Sequence, residues 1–259
     1  MNFYQERAII DFVNFKTTVS VRELAEKFQL SERTIRRVLS RLEEQRNLVR
    51  YFGGVRSISN PRFLSSIAER LKVEEEAKDK IARRASLLIK PQSTIILFGG
   101  TTIFKLCKYI KKMDLTLVTN SIIVFSELKQ YSNIKLVLLG GVYTEGEGEL
   151  FGEVTLDAIK KIRTDYMFLG TDGYRQGKGF FTNGLYSRDV YRWGLANTGN
   201  AIVLADSTKF SLPGEHLTAS PREINYLISD SRLSEEISRE MAENKVKVFL
   251  VSVANSARE

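Results

Sequence analysis

"SERTIRRVLSRLEEQRNLVRYFGGVRS", residues 31–57, holds a helical repeat and a turn signal in one segment. Ile35, Val38, Leu39 and Leu42 recur at helical spacing and predict a helix with one apolar face. At about 100° per residue, Arg33, Arg36, Arg37 and Ser40 fall on the opposite side. Ser31 is placed to cap the start of that helix. Downstream, Leu48-Val49-Arg50-Tyr51 reads as a strand, Phe52-Gly53-Gly54 as a turn and Val55-Arg56 as a returning strand. Upstream, a first helix is expected over Gln5–Phe15, with Ile9, Ile10, Phe12 and Val13 on its apolar side. A second begins at Ser20, where Ser20-Val21-Arg22-Glu23 has the form of a capping box. Val21, Leu24, Ala25 and Phe28 give it a buried stripe, and Gln29-Leu30-Ser31 breaks it from the arginine-rich helix.

Charge sharpens this reading. Residues 1–30 carry Arg7, Lys16, Arg22 and Lys27 against Glu6, Asp11, Glu23 and Glu26, a sum of zero. Residues 31–56 carry seven arginines and three glutamates, a sum of +4, which is half the net charge of +8 in 26 residues. Two helices joined by a tight turn, the second basic on its outer face, form the arrangement that enters a DNA major groove. Arginines there bond guanine edges or grip phosphates. The hairpin is then a wing, with Arg50 and Arg56 flanking its turn. The competing reading is a solvated charged helix, but its middle is purely positive. The expected DNA-contacting set is Ser31, Arg33, Thr34, Arg36, Arg37, Ser40, Arg41, Arg50 and Arg56, and the partner is double-stranded DNA.

The run "VSVRELAEKFQLSERTIRRVLSRLEEQRNLVRYFGGVRS" resembles the DNA-binding domain of the DeoR family of bacterial transcriptional regulators. That resemblance implies a winged helix-turn-helix with a Gly-Gly wing. The family form has Asp after the paired arginines; here Val38 follows Arg36-Arg37.

The remaining length calls for a second domain, since 259 residues exceed one typical core. The domain expectation is 1–57 DNA-binding, 58–73 linker with Asn60-Pro61 at the boundary, and 74–255 an α/β domain. Within it, Glu74–Leu88 reads as a helix with Ala77, Ile81, Ala85 and Leu88 on one side. Strand candidates then alternate with helical runs: Thr94–Phe98, Leu115–Val118, Lys135–Leu139, Asp165–Leu169, Ala201–Ala205, Tyr226–Ser229 and Lys247–Val251. Such alternation predicts a parallel sheet covered on both faces. Small and hydroxyl residues follow strand after strand, and ligands of open α/β sheets bind at strand carboxyl ends. Gly99-Gly100-Thr101-Thr102 fits a phosphate cradle at a helix start, and Lys209 adds a positive charge. Neither GxGxxG nor a P-loop pattern is present.

"GGTT", "VTNS", "LLGG", "FLGTDG" and "VLADSTKF" look like the effector domain of DeoR regulators. The resemblance implies a Rossmann-like α/β fold similar to ribose-5-phosphate isomerase and a phosphorylated sugar as ligand. It assigns the ligand contacts to Gly99, Gly100, Thr101, Thr102, Thr119, Asn120, Ser121, Gly140, Gly141, Asp172, Gly173 and Lys209. The family glutamate before "VLAD" falls on Asp189 or Ser187, of which Asp189 is included in the expected ligand-binding set, and Phe98 stands where the family often has Asp. "FFTNGLYSRD", Phe180–Asp189, is similar to regulators of ascorbate utilisation, which implies a sugar-acid phosphate. The acidic loop Tyr143–Glu153 is either a mobile rim of the site or a solvated connector.

The expected function is a sugar-phosphate-responsive repressor of carbohydrate genes, acting as a homodimer or homotetramer. The alternatives are an isomerase with Asp172 or Asp206 as base, and a wing-containing protein–protein adaptor. No cofactor is expected. One cysteine, Cys107, excludes an internal disulfide, and with the single His216 it excludes a zinc finger. Cys107 and Trp193 read as core. Without a signal-like segment or a membrane-length apolar run, a cytoplasmic location is expected.

Overall fold

The structure, a computed structural model, describes residues 6, 8–10, 12–13, 18–44, 48–51, 54–57, 67–144 and 147–253. The chain divides into two compact units, Met1–Arg70 and Leu71–Glu259.

In the first unit the described residues between 6 and 13 are helical; the ends of the helix expected over Gln5–Phe15 lie outside the described residues. Strand β1 (Thr18–Ser20) leads into α1 (Val21–Phe28), then α2 (Glu32–Glu44), β2 (Leu48–Tyr51) and β3 (Gly54–Ser57). Ser20 Oγ accepts the Glu23 N–H at 3.0 Å, which satisfies one free donor at the start of α1. Gln29 ends α1 in the left-handed region, φ 52°, so that its N–H turns back to helix carbonyls. The three strands form an antiparallel sheet in the order β1-β3-β2. Gly54 is part of β3, paired with Ser20 and Tyr51, rather than part of the turn. The short β1 is absent from the sequence expectation, because three residues carry too little pattern. Ile9, Val13, Leu24, Ile35, Leu39 and Leu48 make one buried core. Each such side chain contributes roughly 1.5–3 kcal/mol relative to exposure, so the spacing that predicted the helices also holds them together.

A short helix, α3 (Ile67–Lys72), lies in the expected linker, and α4 (Glu75–Ser86) follows. Between them Glu74 adopts φ 52°. Its carboxylate receives Arg232 Nη2 at 2.5 Å, while Arg232 Nε donates to the fully buried Asp230 at 2.7 Å.

The second unit is built on seven parallel strands. In chain order its elements are β4 (Thr94–Leu97), α5 (Thr101–Ile110), β5 (Leu115–Thr119), α6 (Ile122–Leu128), β6 (Ile134–Leu138), β7 (Val142–Thr144), β8 (Glu149–Phe151), α7 (Glu153–Ile159) and β9 (Thr164–Leu169). They continue with β10 (Gly173–Arg175), β11 (Gly179–Thr182), α8 (Leu185–Ala196), β12 (Thr198–Leu204), β13 (His216–Ala219), β14 (Tyr226–Asp230), α9 (Glu235–Glu243) and β15 (Lys247–Val251). The main sheet runs β15-β14-β12-β9-β4-β5-β6, with every neighbouring pair parallel. Side chains alternate across it. Ile95 and Leu97 pack with Ile81, Leu106 and Val124 of α4, α5 and α6. Ile96 and Phe98 face Ile159, Val190 and Met241 of α7, α8 and α9. Cys107 is fully buried, and burial pushes its thiol up to about 12. All seven sheet strands match sequence expectations. The β7–β8 hairpin, α7 and the small antiparallel sheet β10-β11-β13 do not appear in them. Trp193 is 43% exposed and lies under the Lys160 ammonium at 5.5 Å, so it is a surface residue rather than core. Among the described residues no helix is long and apolar enough to cross a membrane.

Candidate functional sites

The first candidate is the outer face of α2. Ile35, Val38, Leu39 and Leu42 are buried, while Arg33, Arg36, Arg37 and Arg41 are exposed. Ser31 Oγ accepts the Thr34 N–H at 3.2 Å and sits 2.8 Å from Thr34 Oγ1, so both residues cap the helix start. Ser40 Oγ turns back to the Arg36 carbonyl at 3.1 Å. Arg36 pairs with Glu32 at 2.8 Å within the helix, and Arg41 pairs with Glu6. The exposed Arg36–Glu32 pair is weak, about 0.3–0.5 kcal/mol, and yields readily to a phosphate. Arg33 and Arg37 carry no ion pair among the described residues. The side chains of Arg50 and Arg56 lie outside the described residues; their backbones are in β2 and β3.

The second candidate is the carboxyl edge of the main sheet. From β4 the chain steps outward through β5 and β6; from β9 it steps the other way through β12, β14 and β15. The loops after β4 and β9 therefore leave toward opposite faces, the topology at which open α/β sheets bind their ligands. After β4 comes Gly100, with φ 114°, as the N-cap of α5. The first-turn N–H groups of α5 have no partner within the helix, and Thr101 and Thr102 add hydroxyls. After β5, Thr119, Asn120 and Ser121 are all fully buried, and Thr119 Oγ1 accepts the Ser121 N–H at 3.0 Å. After β9, Asp172 accepts the Asn183 N–H at 2.9 Å and the Thr182 hydroxyl at 3.2 Å. After β12, Asp206 is buried and accepts from the N–H and hydroxyl of Thr208, and the half-buried Lys209 follows in the same turn.

Several glycines have structural work. A Cβ on Gly141, where φ is 145°, would lie 2.3 Å from Thr155 Oγ1 and 2.6 Å from the Phe151 carbonyl. A Cβ on Gly173 would lie 2.3 Å from the Leu212 carbonyl. Both positions serve close backbone packing. Gly140 contributes its carbonyl to Thr155 Oγ1 at 2.5 Å.

Gly99 is different. The Gly99 N–H donates to Glu149 Oε1 at 2.8 Å, and a Cβ at Gly99 would lie 2.2 Å from the Glu149 carboxyl carbon. The missing side chain makes room for a carboxylate of the chain itself. Glu149 is 4% exposed. Burial, with the Glu147 and Asp172 carboxylates nearby, pushes it up to about 8, against the Gly99 N–H and the Asn120 amide, which favour its charge. The loop expected to be a mobile rim or a solvated connector thus delivers a buried acid into the sheet edge. Glu145 and Gly146 of that loop lie outside the described residues. Glu147 accepts the hydroxyl of Ser187 at 3.0 Å. Ser187 is buried, whereas Asp189 pairs at the surface with Arg188 at 3.0 Å. Of the two positions proposed for the family glutamate, Ser187 faces inward, because α8 turns that residue toward the sheet. Glu147, Glu149 and Asn183 were missed by sequence reasoning. The one available signal was the spacing of acids in "EGEGEL".

Comparison with known proteins gives consistent matches. The profile of the DeoR-like helix-turn-helix domain matches residues 6–61, and that of the DeoR C-terminal sensor domain matches residues 73–231. The lactose phosphotransferase system repressor of Staphylococcus epidermidis is 30% identical over 245 residues, covering 93% of this chain and 96% of that protein. The glycerol-3-phosphate regulon repressor of Escherichia coli is 28% identical over 207 residues, covering 80% and 82%. Among solved structures, ribose 5-phosphate isomerase A of Methanocaldococcus jannaschii aligns with a TM-score of 0.40 at 19% identity, over 53% of this chain and 55% of that one.

Proposed function

The chain belongs to the DeoR family of helix-turn-helix transcriptional regulators, and on that premise we propose that it is a repressor of carbohydrate genes released from or locked onto its operator by a phosphorylated sugar. The observation that carries the effector reading is the gathering of the loops after β4, β5, β9 and β12 on the carboxyl edge of one parallel sheet, with a glycine-capped helix start at the switch point. Helix N–H groups at α5 suit a phosphate. On the DNA side, the exposed arginines of α2 suit the major groove. Regulation follows if the ligand has different affinity for the two DNA-binding states.

We read the sheet edge as a binding site rather than a catalytic one. Of the two acids considered as an isomerase base, Asp206 caps the turn after β12, and Asp172 uses one carboxylate oxygen to hold the end of β11, which leaves the other for binding. A symmetric dimer or tetramer in the cytoplasm fits a palindromic operator. In the names of the relatives, one repressor refers to a sugar uptake system and another to a phosphorylated polyol. Fluorescence anisotropy on labelled upstream DNA, over a salt series and with a panel of sugar phosphates, tests the reading. Tight, salt-sensitive binding altered by one compound supports it. Specific DNA binding that no compound alters overturns the sensor role.

A further inference from the structure

A phosphate at the start of α5 uses hydrogen-bond donors. The strand edge beside it offers the opposite chemistry. Glu149 already takes the Gly99 N–H at 2.8 Å. Glu147 and Asp172 stand close enough to oppose its ionisation. Asn120 is fully buried, with its amide against the Glu149 carboxyl. Its Nδ2 donates to the Leu150 carbonyl at 3.1 Å, which sets the amide orientation and leaves Oδ1 without a donor. Asn183, next to Asp172, likewise has a buried Oδ1 with no donor. Among the described residues these carboxylates are not arranged to hold a metal ion.

Apart from the buried, unpartnered Ser121 hydroxyl and the proton that Glu149 holds below about 8, this edge presents acceptors, the Glu147 and Asp172 carboxylates and the two orphaned amide oxygens, and a buried acceptor without a donor is costly. A ligand hydroxyl or ammonium supplies the missing hydrogen. A ligand carboxylate supplies none, and it brings negative charge to a place that already opposes it. We propose that Asn120, Glu147, Glu149, Asp172 and Asn183 read the non-phosphate end of the effector as a hydrogen-bond donor, a neutral polyol or an amino sugar, and reject a phosphorylated sugar acid. This rests on the phosphate-ligand reading above, and it runs against the sugar-acid phosphate implied by the "FFTNGLYSRD" resemblance. It makes Glu147, in the loop between β7 and β8, and Glu149, at the start of β8, specificity residues.

The test is calorimetric titration of the full chain with inorganic phosphate, then with matched probes. These are glucose 6-phosphate, glucosamine 6-phosphate and 6-phosphogluconate, and ribose 5-phosphate with 5-phosphoribonate. The expected result is that each sugar binds at least about tenfold more tightly than its acid. In Glu147→Gln, which removes one charge from a partly exposed position, that gap narrows to within about threefold. Glucosamine 6-phosphate against glucose 6-phosphate separates an ammonium from a hydroxyl at the acidic end. An acid that binds as tightly as its sugar overturns the proposal. So does phosphate binding that no ester improves, because the edge then reads nothing. Failure of phosphate and of every ester overturns the phosphate-ligand reading itself, and this inference with it. If Glu147→Gln does not fold, the wild-type pairs alone decide.

Discussion

The face of α2 and the carboxyl edge of the sheet are opposites in charge and in construction. One is a single helix with exposed arginines, four within nine residues of sequence from Arg33 to Arg41. The other gathers Gly99, Asn120, Glu149 and Asp172 from separate strand ends and buries an acid among them. The contrast teaches where electrostatics can act. Exposed cations remain hydrated until DNA arrives, and their contribution is screened by salt. A buried carboxyl meets a low dielectric at once, so neighbours reset its protonation and salt has little hold on it.

The largest expected effect strikes the cationic side. Replacing Arg33 and Arg37 together by Ala should weaken operator binding by at least about 100-fold and reduce the salt slope by about two, with ligand binding unchanged. Anisotropy at several salt concentrations reads both; an unaltered slope would show that these side chains miss the phosphates and bases. Next, Gly141→Ala should destabilise the second unit by about 3 kcal/mol, since the substitution adds a clash to a left-handed backbone. Urea unfolding checks this, and loss of ligand affinity at full stability would return Gly141 to the binding set.

A third test uses Glu149. Its folded value lies above its ordinary 4.5, near 8, so the folded state binds the extra proton between those limits. Stability relative to Glu149→Gln should therefore fall as pH rises from about 4.5, by up to about 1.4 kcal/mol per unit, and level off above about 8. A flat difference across that window would mean the carboxyl is not buried as described. The smallest effect belongs to Gln29→Gly, which removes a left-handed non-glycine backbone at the end of α1. A gain of about 0.5 kcal/mol in the first unit is expected from thermal melts.

Residue pattern made α1, α2 and every strand of the main sheet legible, because each follows from a local period of apolar side chains. Ser20 as a cap and the buried Cys107 were equally local matters. The glycines after the strands were visible but ambiguous: a sequence shows that a side chain is missing, not what occupies the space. At Gly173 the occupant is backbone, at Gly141 it is the Thr155 hydroxyl with the Phe151 backbone, and at Gly99 it is the Glu149 carboxyl, fifty residues away. Trp193 and Asp189 point outward for the same kind of reason, since helix rotation against the sheet is set by packing partners remote in sequence.

By itself, then, the sequence determined the basic helix-turn-helix and the parallel α/β class, both products of short-range periodicity and charge. Only the tertiary structure decided that the acidic loop reaches the carboxyl edge of the sheet, that Ser187 rather than Asp189 is turned inward, and that this buried edge is rich in acceptors. Hydrogen bonds and desolvation act between atoms brought together by the closed sheet, and no spacing along the chain records that distance.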